Sequence, residues 1–316
     1  MKFLRIGIIM AAILAAAAIT VIAGIHDKST TTGTRGPAAP KKATLPVAPE
    51  SYLGIYTHGV PNSYAPVTAF AATTGVRPDV IIYYSGWLEP FRISFAATAA
   101  EHGATPLVQM EPTGISLARI ASGRYDSYLS SYAEAVRGYG RPVILSFGHE
   151  MNGSWYSWSN GHSSPEAFVE AWRHIVRVFR VAGAENVTWL WTVNIIDKHG
   201  NIPSPGPWWP GDSYVTWVGI DGYYATTSTT FAPLFGPTIV SVRALTNDPI
   251  LIAETGASGS ASQPSQISDL FAGIHTYGLL GLMWFDAIGK EDWRLNNPSA
   301  ISAFRQGAKA YHRLAS

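Results

Sequence analysis

Two glutamates in this sequence have settings that point directly to chemistry. Glu150 closes the run Pro142-Val-Ile-Leu-Ser-Phe-Gly-His149-Glu150, and Asn152, Trp155, Tyr156 and Trp158 follow it. Glu254 ends a second apolar run, Ile250-Leu-Ile-Ala-Glu254-Thr-Gly256. A carboxylate beside flat aromatic faces and amide groups suits work on a sugar. The plain alternative is a solvated Glu where a strand meets a loop, since glutamate is usually exposed. Cleavage of a glycosidic bond needs two carboxyl groups flanking one bond, one protonated and one ionised. Glu150 and Glu254 are the expected pair, without metal or organic cofactor.

Other carboxylates fall near the ends of apolar runs. Glu111 reads as a structural partner of an Arg or of a Trp indole, although spacing alone does not exclude it from the site. Asp221, before Gly222-Tyr223-Tyr224, is expected by alternation to point away from the site. Asp286 either binds sugar hydroxyls or pairs with Arg294. Trp87, Trp208 and Trp209 are looser candidates for sugar platforms, with plain packing as the alternative.

Several chemistries are set aside. His149-Glu150 is followed by Met-Asn-Gly, so the second His of a zinc-binding HExxH helix is missing. The chain has 0 Cys, which removes thiolate ligands, a Cys nucleophile and disulfides. Ser258, in Gly-Ala-Ser-Gly-Ser, lacks the glycine spacing of a nucleophile elbow. A net charge of +1 argues against a nucleic-acid binder.

The elements that must hold these residues alternate. Short β-rich runs lie at 52–56, 79–87, 105–111, 143–149, 187–193, 215–223, 249–254 and 280–286. The clearer helical stretches are 65–74, 95–102, 125–139, 165–182, 238–246 and 264–277. The Pro- and Gly-rich stretch 197–212 reads as a long loop. Strands alternating with helices imply parallel β/α units, and eight of them match the α/β (β/α)₈ TIM barrel. An open doubly wound sheet is the runner-up. The first strand, however, leads into Tyr56-Thr-His-Gly-Val-Pro, which is no phosphate-binding turn. In a barrel, strands four and seven face each other across the mouth, so their end carboxylates converge on one ligand.

Residues 1–25 read as a targeting segment. Lys2 and Arg5 precede an uncharged run from Ile6 to Ile25, long enough for either a signal peptide or an uncleaved anchor. Either route puts the rest outside the cytoplasm, extracellular or at the cell surface. Residues 26–50 are a Pro-, Thr- and Ala-rich linker. Residues 51–316 form the expected catalytic domain, acting as a monomer whose only membrane contact is the N-terminal segment.

Four motifs carry a resemblance. His149-Glu150-Met151-Asn152-Gly153 with Trp155 and Trp158, Gly219-Ile-Asp221-Gly-Tyr223, Ile252-Ala-Glu254-Thr-Gly256 and Leu282-Met-Trp284-Phe, in this order, resemble glycoside hydrolase family 26, the β-mannanase family of clan A. The resemblance runs from about Leu53 to Phe304. It implies a (β/α)₈ barrel and hydrolysis with retention, Glu150 as acid/base and Glu254 as nucleophile. It also implies that His149 contacts the reacting sugar region, that Tyr223 hydrogen-bonds the nucleophile, and that Trp155 and Trp284 line the site, Trp284 under the sugar at the cleavage point. Retention calls for carboxyl groups about 5–5.5 Å apart. The expected substrate is a β-1,4-mannan cut internally. Another β-glycan (mixed-linkage glucan or β-xylan) or an inactive carbohydrate-binding barrel are the alternatives. Many members carry Arg where this chain has Ser146, and 194–209 does not align with the family's pattern.

Overall fold

The structure, a computed structural model, describes residues 45–197 and 201–311. The expected targeting segment, 1–25, and linker residues 26–44 lie outside the described residues. Residues 45–50, read as the end of that linker, lie against the barrel. Leu45 packs on its interior cluster, the Pro46 carbonyl accepts the Tyr52 hydroxyl at 2.7 Å, and Glu50 N donates to the Leu279 carbonyl at 2.9 Å.

Eight parallel strands close into a barrel in chain order. They are β1 Tyr52–Thr57, β2 Val80–Gly86, β3 Thr105–Glu111, β4 Val143–Phe147, β5 Val187–Asn194, β6 Trp217–Asp221, β7 Ile250–Thr255 and β8 Gly281–Asp286. The helices α1 Ala65–Thr74, α2 Ile93–Glu101, α3 Leu117–Ala121, α4 Asp126–Tyr139, α5 Pro165–Val181, α6 Phe231–Arg243, α7 Gln263–Thr276 and α8 Pro298–Ala308 lie in the connections. Among the described residues, β5 and β6 are joined without an α-helix, as the Pro- and Gly-rich composition there predicts. No helix among the described residues is long and apolar enough to cross a membrane.

Alternation along each strand divides the core in two. Tyr52, Val80, Ile82, Leu107, Ile144, Leu190, Trp217, Leu251, Leu280 and Met283 fill the barrel. Their neighbours one residue away, such as Ile81, Val108, Leu145, Trp191, Val218 and Leu282, pack under the helices. The clearest amphipathic helix is α5. Ser164 caps it by accepting from Ala167 N at 3.2 Å, and Pro165 occupies its first turn. Phe168, Ala171, Trp172, Ile175 and Phe179 form its buried stripe. This two-sided burial makes the strands rigid mounts for whatever their ends carry.

Candidate active site

One parity places the site. Counting up each strand from the interior residues, Tyr84, Glu111, Asn194, Asp221 and Phe285 share the interior face, one layer above Ile82, Gln109, Thr192, Gly219 and Met283. Glu254 breaks the count, since Ile250 and Ile252 point outward. The pairing of β6 with β7 shifts between Ile220 and Asp221, so that Asp221 stands opposite Glu254. A bulge of this kind re-aims a side chain beside a site. Both Ala253 and Glu254 then serve the interior.

Glu150 is positioned by a sharp exit from β4. Gly148 and Glu150 have φ of 56° and 54°. A Cβ on Gly148 would come within 3.0 Å of Phe168 and 3.2 Å of Trp158, so glycine fits both the conformation and the space. For a glutamate the left-handed conformation is strained. It is held by a hydrogen bond from Glu150 N to the Thr192 carbonyl, 2.9 Å. The Glu150 carboxyl accepts the Trp155 indole N–H on Oε2 at 2.7 Å and the Asn194 amide on Oε1. Asn194 is set in turn by Asn152, whose Oδ1 accepts Asn194 N and whose Nδ2 donates to the Asn194 carbonyl, both at 2.9 Å.

Glu254 accepts two phenols, Tyr84 on Oε1 and Tyr223 on Oε2, the latter at 2.5 Å. Both glutamates are buried, and burial raises both above the ordinary carboxylate range. For Glu150 the Glu254 charge adds to the rise, against the smaller pull of the Asn194 and Trp155 donors. For Glu254 the two phenols pull the other way. The pair is therefore biased relative to one another: the Glu254 charge favours a proton on Glu150, and the two phenols favour the ionised form of Glu254. Opposed environments of this kind divide acid from base.

His149 is buried behind Glu150. Its Nε2 faces the Tyr156 hydroxyl at 3.1 Å, and burial holds it down to about 3, so it is neutral. Tyr156 and Trp158 stack with centroids 4.3 Å apart and stiffen the loop. Trp155 is half exposed and lines a cavity of about 630 Å³ with Glu150, Asn194, Tyr223, Phe285 and Trp293.

Four of the six sequence-derived residues, Glu150, Glu254, Trp155 and Tyr223, thus meet at this mouth, with His149 directly behind. Trp284 requires a correction. It is fully buried, its Nε1 donates to the Trp293 carbonyl at 3.1 Å, and its ring packs edge-on against Phe304 of α8 at 5.6 Å. Met283 faces the interior, so Trp284 faces the helices and Phe285 reaches the mouth, stacked on Tyr56 at 4.6 Å. Asp221 also differs from expectation. It shares the parity of Trp217 and lies buried in the field of both Glu254 and Glu150, which with its burial raises its carboxyl well above the ordinary range. Glu111 lies on the same side, pushed up to about 7 by burial, Glu254 and Glu89. Asp286 accepts Leu295 N at 2.8 Å, while Arg294 pairs with Asp292. Trp87 packs among Tyr125, Tyr128 and Phe147, Trp208 is buried, and Trp209 packs on Trp191. None of these three lines the cavity.

Sequence reasoning missed Tyr84, Asn194, Phe285 and Trp293. Tyr84 and Phe285 lie in runs apolar on both faces, where alternation leaves no mark. Asn194 carries one signal, its position at the end of β5.

A closed (β/α)₈ barrel with two buried, differently hydrogen-bonded carboxyls at the ends of β4 and β7 has the form of a glycosidase. The model of glycosyl hydrolase family 26 matches residues 120–309, and the chain belongs to that family. It is 31% identical over 269 residues to endoglucanase H of Acetivibrio thermocellus, covering 80% of this chain and 30% of that one. A β-1,3-xylanase of a Vibrio species is 28% identical over 173 residues, 50% of this chain and 36% of the relative. The chain thus spans about a third of these curated relatives. Among solved structures, the catalytic domain of a Bacillus sp. JAMB-750 endo-β-1,4-mannanase superposes with a TM-score of 0.64 at 14% identity, covering 83% and 86% of the two chains. A modular Cellulomonas fimi endo-β-1,4-mannanase gives 0.62 at 19% identity, covering 84% and 71%. These likenesses concern the fold.

Proposed function

We propose that this chain is a retaining glycoside hydrolase that cleaves β-linked polysaccharide. The observation that carries the proposal is the pair of buried carboxyls, Glu254 held by the phenols of Tyr84 and Tyr223 and Glu150 disfavoured as an anion by the Glu254 charge. In the first step, a Glu254 oxygen attacks the anomeric carbon. The glycosidic C–O bond breaks, and the Glu150 proton passes to the leaving oxygen. In the second, Glu150 takes a proton from water, the hydroxide equivalent bonds to the anomeric carbon, and the Glu254 ester bond breaks. Tyr84 and Tyr223 favour the ionised Glu254 needed for attack.

Two readings of the glycan each rest on one observation. The His149-Glu150-Met151-Asn152-Gly153 motif favours internal cleavage of β-1,4-mannan. The 31% identity to a protein named an endoglucanase favours a β-glucan. Export as a monomer, through the charged start and uncharged run of residues 1–25, belongs to the same proposal.

The test is reducing-sugar release by the full chain from β-mannan, mixed-linkage glucan and β-xylan, with the anomer of the first product read by NMR. Release with the β anomer formed first, abolished in Glu254→Ala, is expected. Release that survives Glu254→Ala, or an α first product, overturns the mechanism. Binding without release from any substrate supports a carbohydrate-binding barrel instead.

A further inference from the structure

Both oxygens of Glu150 face N–H donors, Trp155 on Oε2 and Asn194 on Oε1. Two N–H donors suit a carboxylate, which only accepts. They suit a carboxylic acid less, since one of its oxygens carries a hydrogen and accepts more weakly. With Asn194 on the carbonyl oxygen, the acid hydrogen falls on Oε2, where the indole N–H bonds the protonated oxygen more weakly than it bonds the carboxylate. Asn194 is fixed by its paired bonds to Asn152. Trp155 is the donor that can give way.

The loop around Trp155 is anchored, and the side chain is not. Asn160 N donates to the Met151 carbonyl at 2.8 Å, and Tyr156 is stacked on Trp158. Trp155 is 48% exposed, and the outer edge of its ring lies over Gly153, where a Cβ would sit 2.4 Å from ring atoms. Rotation about its own side-chain bonds carries the indole off Glu150 without moving the loop. An exposed indole face bordering the cavity is also a surface on which a sugar ring stacks.

We propose that Trp155 is a substrate-operated latch on Glu150: its indole holds Oε2 in the resting site and weakens the hold on the acid proton, and a sugar ring stacking on it draws the N–H away, so that Glu150 holds more firmly the proton it then donates. The proton affinity of the acid therefore rises when a glycan is in place. Trp155 is thereby a positioning residue acting through Glu150, and the inference rests on the hydrolase reading above. The other groups facing Glu150 are Glu254 from β7, Asp221 from β6, and the phenols of Tyr156 and Tyr223, with Lys290 and Glu291 of the β8 loop on the cavity wall. The carboxylates oppose ionisation of Glu150 whether or not Trp155 is engaged, so the latch modulates a bias that is already present.

The experiment follows the Glu150 carboxyl by difference infrared spectroscopy in the full chain, using Glu150→Gln to assign the band. In Trp155→Phe the midpoint of ionisation rises by about one pH unit, the sign expected when a donor to the charged form is removed. Gly153→Ala gives a second route to the same end, because its methyl displaces the ring while the indole is kept. Its midpoint rises too. In a Glu254→Ala background, which leaves sugar uncut, mannotetraose or a mixed-linkage glucan tetrasaccharide raises the midpoint with Trp155 present and leaves it unmoved in Trp155→Phe. Equal midpoints without sugar in all three chains overturn the latch. A sugar that binds and shifts the chains with and without Trp155 equally, or shifts neither, overturns it as well. Failure of the unmutated chain to cleave any β-glycan strikes the hydrolase reading instead, and the comparison made without sugar still decides the hydrogen bond.

Discussion

Removing one phenol from Glu254 tests the assignment of the nucleophile. In Tyr84→Phe the ring remains, together with its edge contact to Tyr56 at 5.2 Å and its tilted contact to His149 at 5.6 Å. Only the hydroxyl on Glu254 Oε1 is lost. A hydrogen bond to a charged group is worth roughly 1.5–3 kcal/mol, and each pH unit corresponds to about 1.4 kcal/mol. Tyr223 still holds Oε2, so the lower end applies and Glu254 protonates about one unit higher. Ionised Glu254 is the attacking form, so the acid limb of the kcat/KM profile moves up by about one unit, while Glu150 keeps the basic limb. Well below the limb, kcat/KM falls about tenfold, and on the plateau the loss is smaller. Stability moves with the same sign: the bond favours ionised Glu254, so its contribution is present at high pH and is lost as Glu254 protonates. Tyr84→Phe therefore melts lower than the parent at pH 8 and converges with it in acid. Reducing-sugar release across pH and thermal melting read the two effects. An unmoved acid limb together with a shifted basic limb would mean that the roles of the two glutamates are exchanged.

Two further substitutions separate packing from chemistry. Trp284→Ala opens a cavity behind the wall against Phe304 and costs about 3–5 kcal/mol, a fall in Tm on the order of ten degrees, with little change in KM for the folded fraction; a raised KM at unchanged Tm would return Trp284 to the cleft. Glu111→Gln acts through pH. The folded protein holds the Glu111 proton up to about 7 against an ordinary value of 4.5, so wild-type stability declines as pH rises through that window. The variant matches wild type near pH 4 and exceeds it by about 1–2 kcal/mol at pH 8, read by denaturant unfolding. A variant less stable at pH 8 would show that ionised Glu111 has a stabilising partner.

The sequence reveals whatever leaves a periodic or chemical mark. All eight strands were legible as β-rich runs, and Ser164-Pro165 marked the start of α5 within a residue. The start of α6 was not legible. The helical stretch expected over 238–246 begins instead at Phe231, where the Asp269 carboxylate of α7 accepts Phe231 N at 2.6 Å. That cap comes from a distant residue, and no local pattern contains it. The start of α8 does carry a local mark: Asn297-Pro298 is a cap and first turn, with Asn297 accepting Ala300 N at 2.8 Å. At the site, Glu150 and Glu254 were legible by type and motif. The facing of Trp284, Phe285 and Tyr84 was not, because a strand buried on both faces is apolar at every position. The bulge that turns Glu254 inward is a property of the β6–β7 pair and of neither strand alone.

The strand composition also explains how the charge of the site is settled. None of the eight strands carries Lys, Arg or His. Ser146, where a cation would enter the interior beside Thr192, instead shares a hydrogen bond with the Thr192 hydroxyl at 3.1 Å. The upper interior therefore gathers Glu111, Glu150, Asp221 and Glu254 with no strand cation to balance them, and charges packed this closely cannot all persist away from water. Protons must do the balancing, and neutral donors decide which group goes without one. Asp221 has no hydrogen-bond partner on either oxygen among the described residues, so nothing favours its ionised form and it stays protonated. Glu254, with two phenols, becomes the anion. Glu150 lies between these cases, held by two N–H donors and opposed by the neighbouring anion, which is the setting in which a small displacement of Trp155 changes its proton affinity most.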